Sequence, residues 1–248
     1  GYRLIHTATD LDPAIAMDVA NSMSTAHIRL CDGQGAEMSW QQSPDWDITP
    51  LDTLQIYSLK TSPAFEAALY AGLRMAKHEL ACSEKVSAFC RHLGVAFQIL
   101  NDLKDWQGDL DNKLKSGQDA LALRPTVLLA LALKDADEDQ TKTLRGILSG
   151  EFTDLSEERR IDRMRAIFNT CGVFDKAETL VERSQERAEQ IVAEIEDDRI
   201  QSLLQFFVET VLSRDTPPTA AEHLDPDSGD APPRPVQQVF VPLTIGNF

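Results

Sequence analysis

The sequence predicts an all-α fold, and three observations carry that expectation. Ala, Leu, Glu, Asp, Arg and Lys dominate the 248 residues. Apolar residues recur at three- and four-residue spacing along most of the chain, and strand-like alternation is nearly absent. Hydrophobic residues make up 42% and charged residues 26%. That is the balance of an ordinary globular protein, with enough chain for one large domain or two small ones.

The elements follow in order. A helix is expected over 12–40, where Ile15, Val19, Met23, Ala26 and Leu30 keep the helical period. Gly33 and Gly35 interrupt it or pack closely near its end. Residues 43–49 read as a loop. Helices are then expected at roughly 50–60, 63–82, 83–106, 122–134, 136–149 and 156–170. Pro50, Pro63 and Pro125 each fall in a first turn, where the missing N–H costs nothing. Gly172 separates a last, long helix from Phe174 to about Arg214, bent by the Asp197-Asp-Arg segment. After Arg214 the composition shifts, and residues 215–248 hold seven of the twelve prolines. The chain therefore divides into a helical part, 1–214, and a Pro-rich linker or tail, 215–248, extended and outside the core.

The net charge of −16 argues against nucleic acid as a partner, because a phosphate backbone needs a basic face. No stretch is apolar for long enough to span a membrane. Cys31, Cys82, Cys90 and Cys171 show neither metal-ligand nor paired spacing. They read as buried thiols of a reducing compartment, hence a cytoplasmic protein. The chain begins at Gly1 without an initiator Met, so a targeting segment is neither seen nor excluded.

The most informative stretch runs Gly94-Val-Ala-Phe-Gln-Ile-Leu-Asn-Asp-Leu-Lys-Asp105. Gln98, Asn101, Asp102 and Asp105 share one helix face, with Val95, Ile99, Leu103 and Trp106 opposite. Clustered carboxylates repel unless a cation or donor sits among them. Two readings fit: a solvated helix face, or a Mg²⁺–diphosphate site, since Mg²⁺ takes one or two carboxylates and completes its shell with phosphate and water. Lys60 and Thr61 sit at a junction between two helices, where the second helix offers free N–H groups to a phosphate. They serve equally well as a plain helix cap with an exposed lysine. The polar loop after Asp105 carries Lys113 and Lys115, with Arg124 beyond it. Upstream, Gly33-Gln34-Gly35-Ala-Glu37 suggests close helix packing, with Gln34 and Glu37 as buried polar partners.

Taken together, these residues resemble the polyprenyl synthetase family, the trans-polyprenyl diphosphate synthases, over about 12–213. The family's Gly-Gln element looks like Gly33-Gln34, its Lys-Thr element like Lys60-Thr61, and its Phe-Gln like Phe97-Gln98. Its second aspartate-rich motif looks like Asn101-Asp-Leu-Lys-Asp105. The following family lysine falls on Lys115 and a later aspartate on Asp119, and Arg124-Pro-Thr126 is similar to the segment before the next family helix. The resemblance implies an antiparallel bundle of the isoprenoid-synthase type and a homodimer. It also implies a Mg-dependent prenyltransferase that condenses an allylic prenyl diphosphate with isopentenyl diphosphate. Asn101, Asp102 and Asp105 would then hold metal, while Lys60, Gln98 and Lys115 bind substrate. Lys60, Thr61 and Gln98 would assist the chemistry, in which the allylic diphosphate ionises, the alkene attacks and the departing diphosphate takes the proton. Substituting Lys60 or Lys115 is expected to weaken diphosphate binding at little cost in stability.

Two departures stand out. No aspartate-rich helix precedes Gly33, so the chain reads as the C-terminal part of the fold, and Asn101 replaces the leading aspartate of the motif. Asn101, Asp105 and Asp109 at i, i+4, i+8 also resemble the metal triad of class I terpene synthases. A non-catalytic subunit of a heteromeric synthase is the third possibility.

Overall fold

The computed structural model describes residues 1–42, 47–107, 117, 122 and 124–213. Among them are ten α-helices, one short 3₁₀ helix and no strand. The helices are α1 (Tyr2–Thr7), α2 (Pro13–Gln41), α3 (Pro50–Lys60), α4 (Ser62–Met75), α5 (Glu84–Gln107), α6 (Val127–Asp135), α7 (Glu138–Leu148), α8 (Glu157–Thr170), α9 (Val173–Ala193) and α10 (Asp198–Val211), with the 3₁₀ turn at Glu79–Cys82 before α5. The tail 215–248 lies outside the described residues.

Helix α5 is the axis of the packing. It packs chiefly against α9 and α4, and also against α3 and α6. Phe89, Leu93 and Ile99 of α5 are fully buried, as are Leu128 and Leu129 of α6, Met164 and Phe168 of α8 and Val181 of α9. Removing apolar surface of this kind from water is the main force that closes the bundle. The C-terminal end of α5 is fixed by aromatic packing. Trp106 lies 4.8 Å from Phe168 and 6.1 Å from Phe174, centroid to centroid. The Arg165 guanidinium stacks on the Trp106 ring and donates to its backbone carbonyl at 3.0 Å.

Local chemistry accounts for most helix ends. Pro50 is the first residue of α3, behind a capping box in which Thr49 Oγ1 accepts from Asp52 N–H at 3.2 Å and the Asp52 carboxylate accepts from Thr49 N–H at 3.0 Å. Asp137 and Gln140 cap α7 in the same way. Gly172, at φ 62°, breaks the chain between α8 and α9.

Several expectations are corrected. The helix expected over 63–82 stops at Met75, because Lys77 adopts φ 56° and the chain resumes as a 3₁₀ turn. The long C-terminal helix is broken, not bent. Asp197 Oδ1 accepts from the N–H groups of Arg199 and Ile200 and so starts α10 afresh. Pro125 lies outside its helix; Thr126 is the cap of α6, accepting from Leu129 N–H at 3.2 Å. Helix α2 runs unbroken through Gly33 and Gly35. Cys90 is buried and Cys171 half-buried, but Cys31 is exposed on α2. Gln34 is exposed too, whereas Glu37 is buried. Among the described residues no helix is long and apolar enough to cross a membrane.

Candidate functional site

The site is built where the end of α3 meets the polar stripe of α5. Tyr57, Lys60 and Thr61 are spaced i, i+3, i+4 and therefore leave the last turn of α3 on one side. Thr61 closes α3, its N–H donating to Tyr57 O at 3.0 Å, and it also stands at the N-cap position of α4. Each of the three side chains then finds its own partner.

Thr61 Oγ1 donates to Gln98 Oε1 at 3.2 Å, so the Lys-Thr and Phe-Gln elements meet directly. Tyr57 is buried at 3% exposure; its hydroxyl donates to the Asp102 carboxylate and accepts from Val127 N–H at 2.8 Å. One phenol thus ties α3 to α5 and to the start of α6. Asp102, at 2% exposure, is the buried edge of the stripe. Gln98, Asn101 and Asp105 are half-buried beside it. The third partner lies on α2: Lys60 Nζ donates to Glu37 Oε2 at 2.5 Å.

Two glycines make these meetings possible. A Cβ on Gly33 would stand 2.7 Å from Lys60 N and 2.9 Å from the Leu59 carbonyl carbon. A Cβ on Gly94 would stand 2.6 Å from Ser62 Oγ and 2.9 Å from Ser62 Cα. Glycine lets α2 approach the end of α3, and lets α5 approach the start of α4, at distances no side chain allows. The Gly-Gln element therefore acts here through its glycine. Beyond α5, Gly117 N–H donates to Asp105 O at 3.0 Å, with φ 77° at the glycine. Lys115 and Asp109 lie outside the described residues.

Asn101 and Asp105 present an amide oxygen and a carboxylate one helical turn apart. That donor set suits a Mg²⁺ ion, which needs few protein oxygens when phosphate and water supply the rest. Among the described residues, no group of three or more His, Cys, Asp or Glu side chains is gathered as an all-protein metal cage.

Tyr57 is not among the residues that the sequence motifs single out, although its i, i+3, i+4 relation to Lys60 and Thr61 puts it on their side of α3. Glu37 is the buried polar partner expected from the sequence, and the group it meets is the Lys60 ammonium.

The fold and the meeting of these motifs define a helical isoprenoid-synthase bundle, and comparison with known proteins agrees. The model of the family described as polyprenyl synthetase matches residues 2–165. The chain belongs to the polyprenyl synthetase family. It is 27% identical over 214 residues to the all-trans-nonaprenyl-diphosphate synthase (geranyl-diphosphate specific) of Rhodobacter capsulatus, covering 86% of this chain and 62% of that protein. Its fold matches geranylgeranyl pyrophosphate synthetase from Pyrococcus horikoshii with a TM-score of 0.73 at 19% identity, over 86% of this chain and 63% of that one. It also matches geranylgeranyl pyrophosphate synthase from Corynebacterium glutamicum, solved with isoprenyl diphosphate and magnesium. There the TM-score is 0.70 at 17% identity, over 83% and 57% of the two chains. The chain thus spans about three fifths of the length of these relatives.

Proposed function

We propose that this chain supplies the second-aspartate-motif half of a Mg-dependent prenyltransferase that condenses an allylic prenyl diphosphate with isopentenyl diphosphate. One observation carries the reading: the Thr61–Gln98 hydrogen bond joins the Lys-Thr junction to the acidic stripe of α5. The bond supports a common site for the Lys60-Thr61 junction and the stripe that bears Asn101 and Asp105. Membership of the polyprenyl synthetase family supports the same chemistry.

In this reading Asn101 and Asp105 hold Mg²⁺, with Asp102 joining them from a carboxylate that also accepts the Tyr57 hydroxyl. The bound metal would offset the negative charge that builds on the departing diphosphate. Lys60 and Lys115 contribute cationic contacts to the same diphosphate. Thr61 and Gln98 turn neutral dipoles toward the carbocation, where a charged base would be alkylated or would quench it. The reading carries with it a cytoplasmic homodimer, as the family resemblance implies.

The test is incubation of the full-length protein with Mg²⁺, labelled isopentenyl diphosphate and allylic diphosphates of increasing length, followed by extraction of products. Elongated prenyl diphosphates are expected. Cyclised hydrocarbons formed without isopentenyl diphosphate would identify a terpene synthase, the reading that Asn101 favours. Mg²⁺-dependent diphosphate binding without turnover would identify a non-catalytic subunit.

A further inference from the structure

Lys60 does not approach its proposed ligand as a bare cation. Its ammonium already donates to Glu37 Oε2 at 2.5 Å, and the Glu37 side chain is only 8% exposed against 25% for Lys60. The pair is built into the helix packing. Glu37 lies one turn beyond Gly33 on α2, and Gly33 is the point at which α2 touches the backbone of Leu59 and Lys60. The glycine sets the separation of the two helices, and the carboxylate receives the side chain. A charge-assisted pair with one partner nearly buried is screened less by water than a fully exposed ion pair.

A diphosphate that binds the Lys60 ammonium, which has three N–H donors, must therefore share it with Glu37 or displace that carboxylate. It also leaves, or must tolerate, a nearly buried carboxylate close to its own negative charge. Both effects oppose binding. The apparent affinity is lowered by the cost of weakening the pair and of bringing the diphosphate near the Glu37 carboxylate.

We propose that Glu37 is a specificity-determining residue: an internal competitor for Lys60 that raises the affinity threshold for anions, so that metal-loaded diphosphate captures the ammonium and metal-free phosphates do not. This rests on the reading of the site given above, because it takes Lys60 as a diphosphate ligand. A bound divalent cation cancels part of the ligand charge that Glu37 would repel. The penalty imposed by Glu37 is thus larger for the metal-free anion.

The experiment is calorimetric titration of the full-length protein with inorganic pyrophosphate, with and without Mg²⁺, on the unsubstituted protein, Glu37→Gln, Glu37→Asp and Lys60→Ala. Glu37→Gln keeps the side-chain length and removes the charge. It is expected to tighten metal-free pyrophosphate binding about tenfold and Mg-pyrophosphate binding by less, narrowing the preference for the metal complex. Glu37→Asp withdraws the carboxylate by one methylene and should give a gain of the same sign but smaller size. A purely structural role for Glu37 produces no gain of affinity in either variant. Unchanged or weaker metal-free binding in Glu37→Gln overturns the proposal; if that variant does not fold, the same result in Glu37→Asp overturns it. If the unsubstituted protein binds no Mg-pyrophosphate, or Lys60→Ala binds it equally well, the reading of the site fails first and the role of Glu37 with it.

Discussion

The Tyr57 hydroxyl donates to the Asp102 carboxylate and at the same time accepts the N–H of Val127. The bond links residues 45 apart in sequence, and both side chains are almost completely shielded from water. A buried carboxylate that loses a hydrogen-bond donor loses part of what offsets its desolvation cost. Asp102 is in this sense a structural residue of the bundle as well as a member of the acidic stripe.

Tyr57→Phe keeps the ring packing and removes the hydroxyl. It removes one hydrogen bond from Asp102 and one from the first N–H of α6, at a cost of about 1–3 kcal/mol. Chemical denaturation should show a lower midpoint with an unchanged slope. Equal stability of the two proteins would mean that the phenol is not a structural tie.

Lys60→Ala should destabilise the protein as well as weaken diphosphate binding, because Glu37 is left as a nearly buried, unpaired carboxylate. The expected loss is about 1–3 kcal/mol, which replaces the expectation from sequence that this lysine is structurally neutral. Adding Glu37→Gln to Lys60→Ala should recover much of the stability, measured as thermal midpoint, without restoring diphosphate binding.

Asn101 supplies an oxygen without a charge. Mg²⁺ should bind weakly alone and cooperatively with diphosphate, which brings the missing charge. Asn101→Asp should tighten Mg²⁺ and preserve or raise prenyl transfer. Asn101→Ala should lower Mg-diphosphate affinity about tenfold, read by calorimetry on the full-length protein. Intact binding and turnover in Asn101→Ala would remove the residue from the metal site.

The break before α10 predicts an acid sensitivity. The Arg199 side chain, then the Ile200 and Arg199 N–H groups and His78, hold the Asp197 carboxyl well below its ordinary value of 3.8. A carboxyl whose value is depressed on folding stabilises the fold above the unfolded value, and that stabilisation is lost as pH falls below it toward the folded value. Asp197→Asn should therefore melt lower than the unsubstituted protein near neutrality, and the gap should close in strong acid. A gap independent of pH would show that the cap works without its charge.

Deleting residues 215–248 should leave the helical melt of the remainder nearly unchanged. Seven prolines in that segment remove backbone donors, and little apolar surface is available to bury. A drop of many degrees in the thermal midpoint would instead make the tail part of the bundle.

What was legible in the sequence was mostly local. Pro50 behind Thr49, Gly172 between two periodic segments, and the i, i+3, i+4 stripe of α5 state their roles through neighbours a few residues away. The segment Val127–Ala132 is buried on every side, so its pattern carries no face, and its start was placed five residues early. The break at Asp197 depends on which backbone groups one carboxylate captures. In the site, the motif residues could be named, but Lys60 with Glu37 and Tyr57 with Asp102 are pairings between separate helices. Their separations in sequence, 23 and 45, exceed what periodicity can encode.

Lys60 and Thr61 are consecutive, so their Cα atoms stand about 3.8 Å apart. Yet the first is held by α2 through Glu37 and the second by α5 through Gln98. A shift of α2 relative to α5 by half a helical turn, about 2.7 Å, cannot preserve both contacts. The distance between ammonium and hydroxyl at this junction therefore reports the alignment of α2, which bears Glu37, with α5, which bears Gln98. Substitutions deep in the bundle that shift this alignment should be felt as changes in ligand geometry before they are felt as loss of fold.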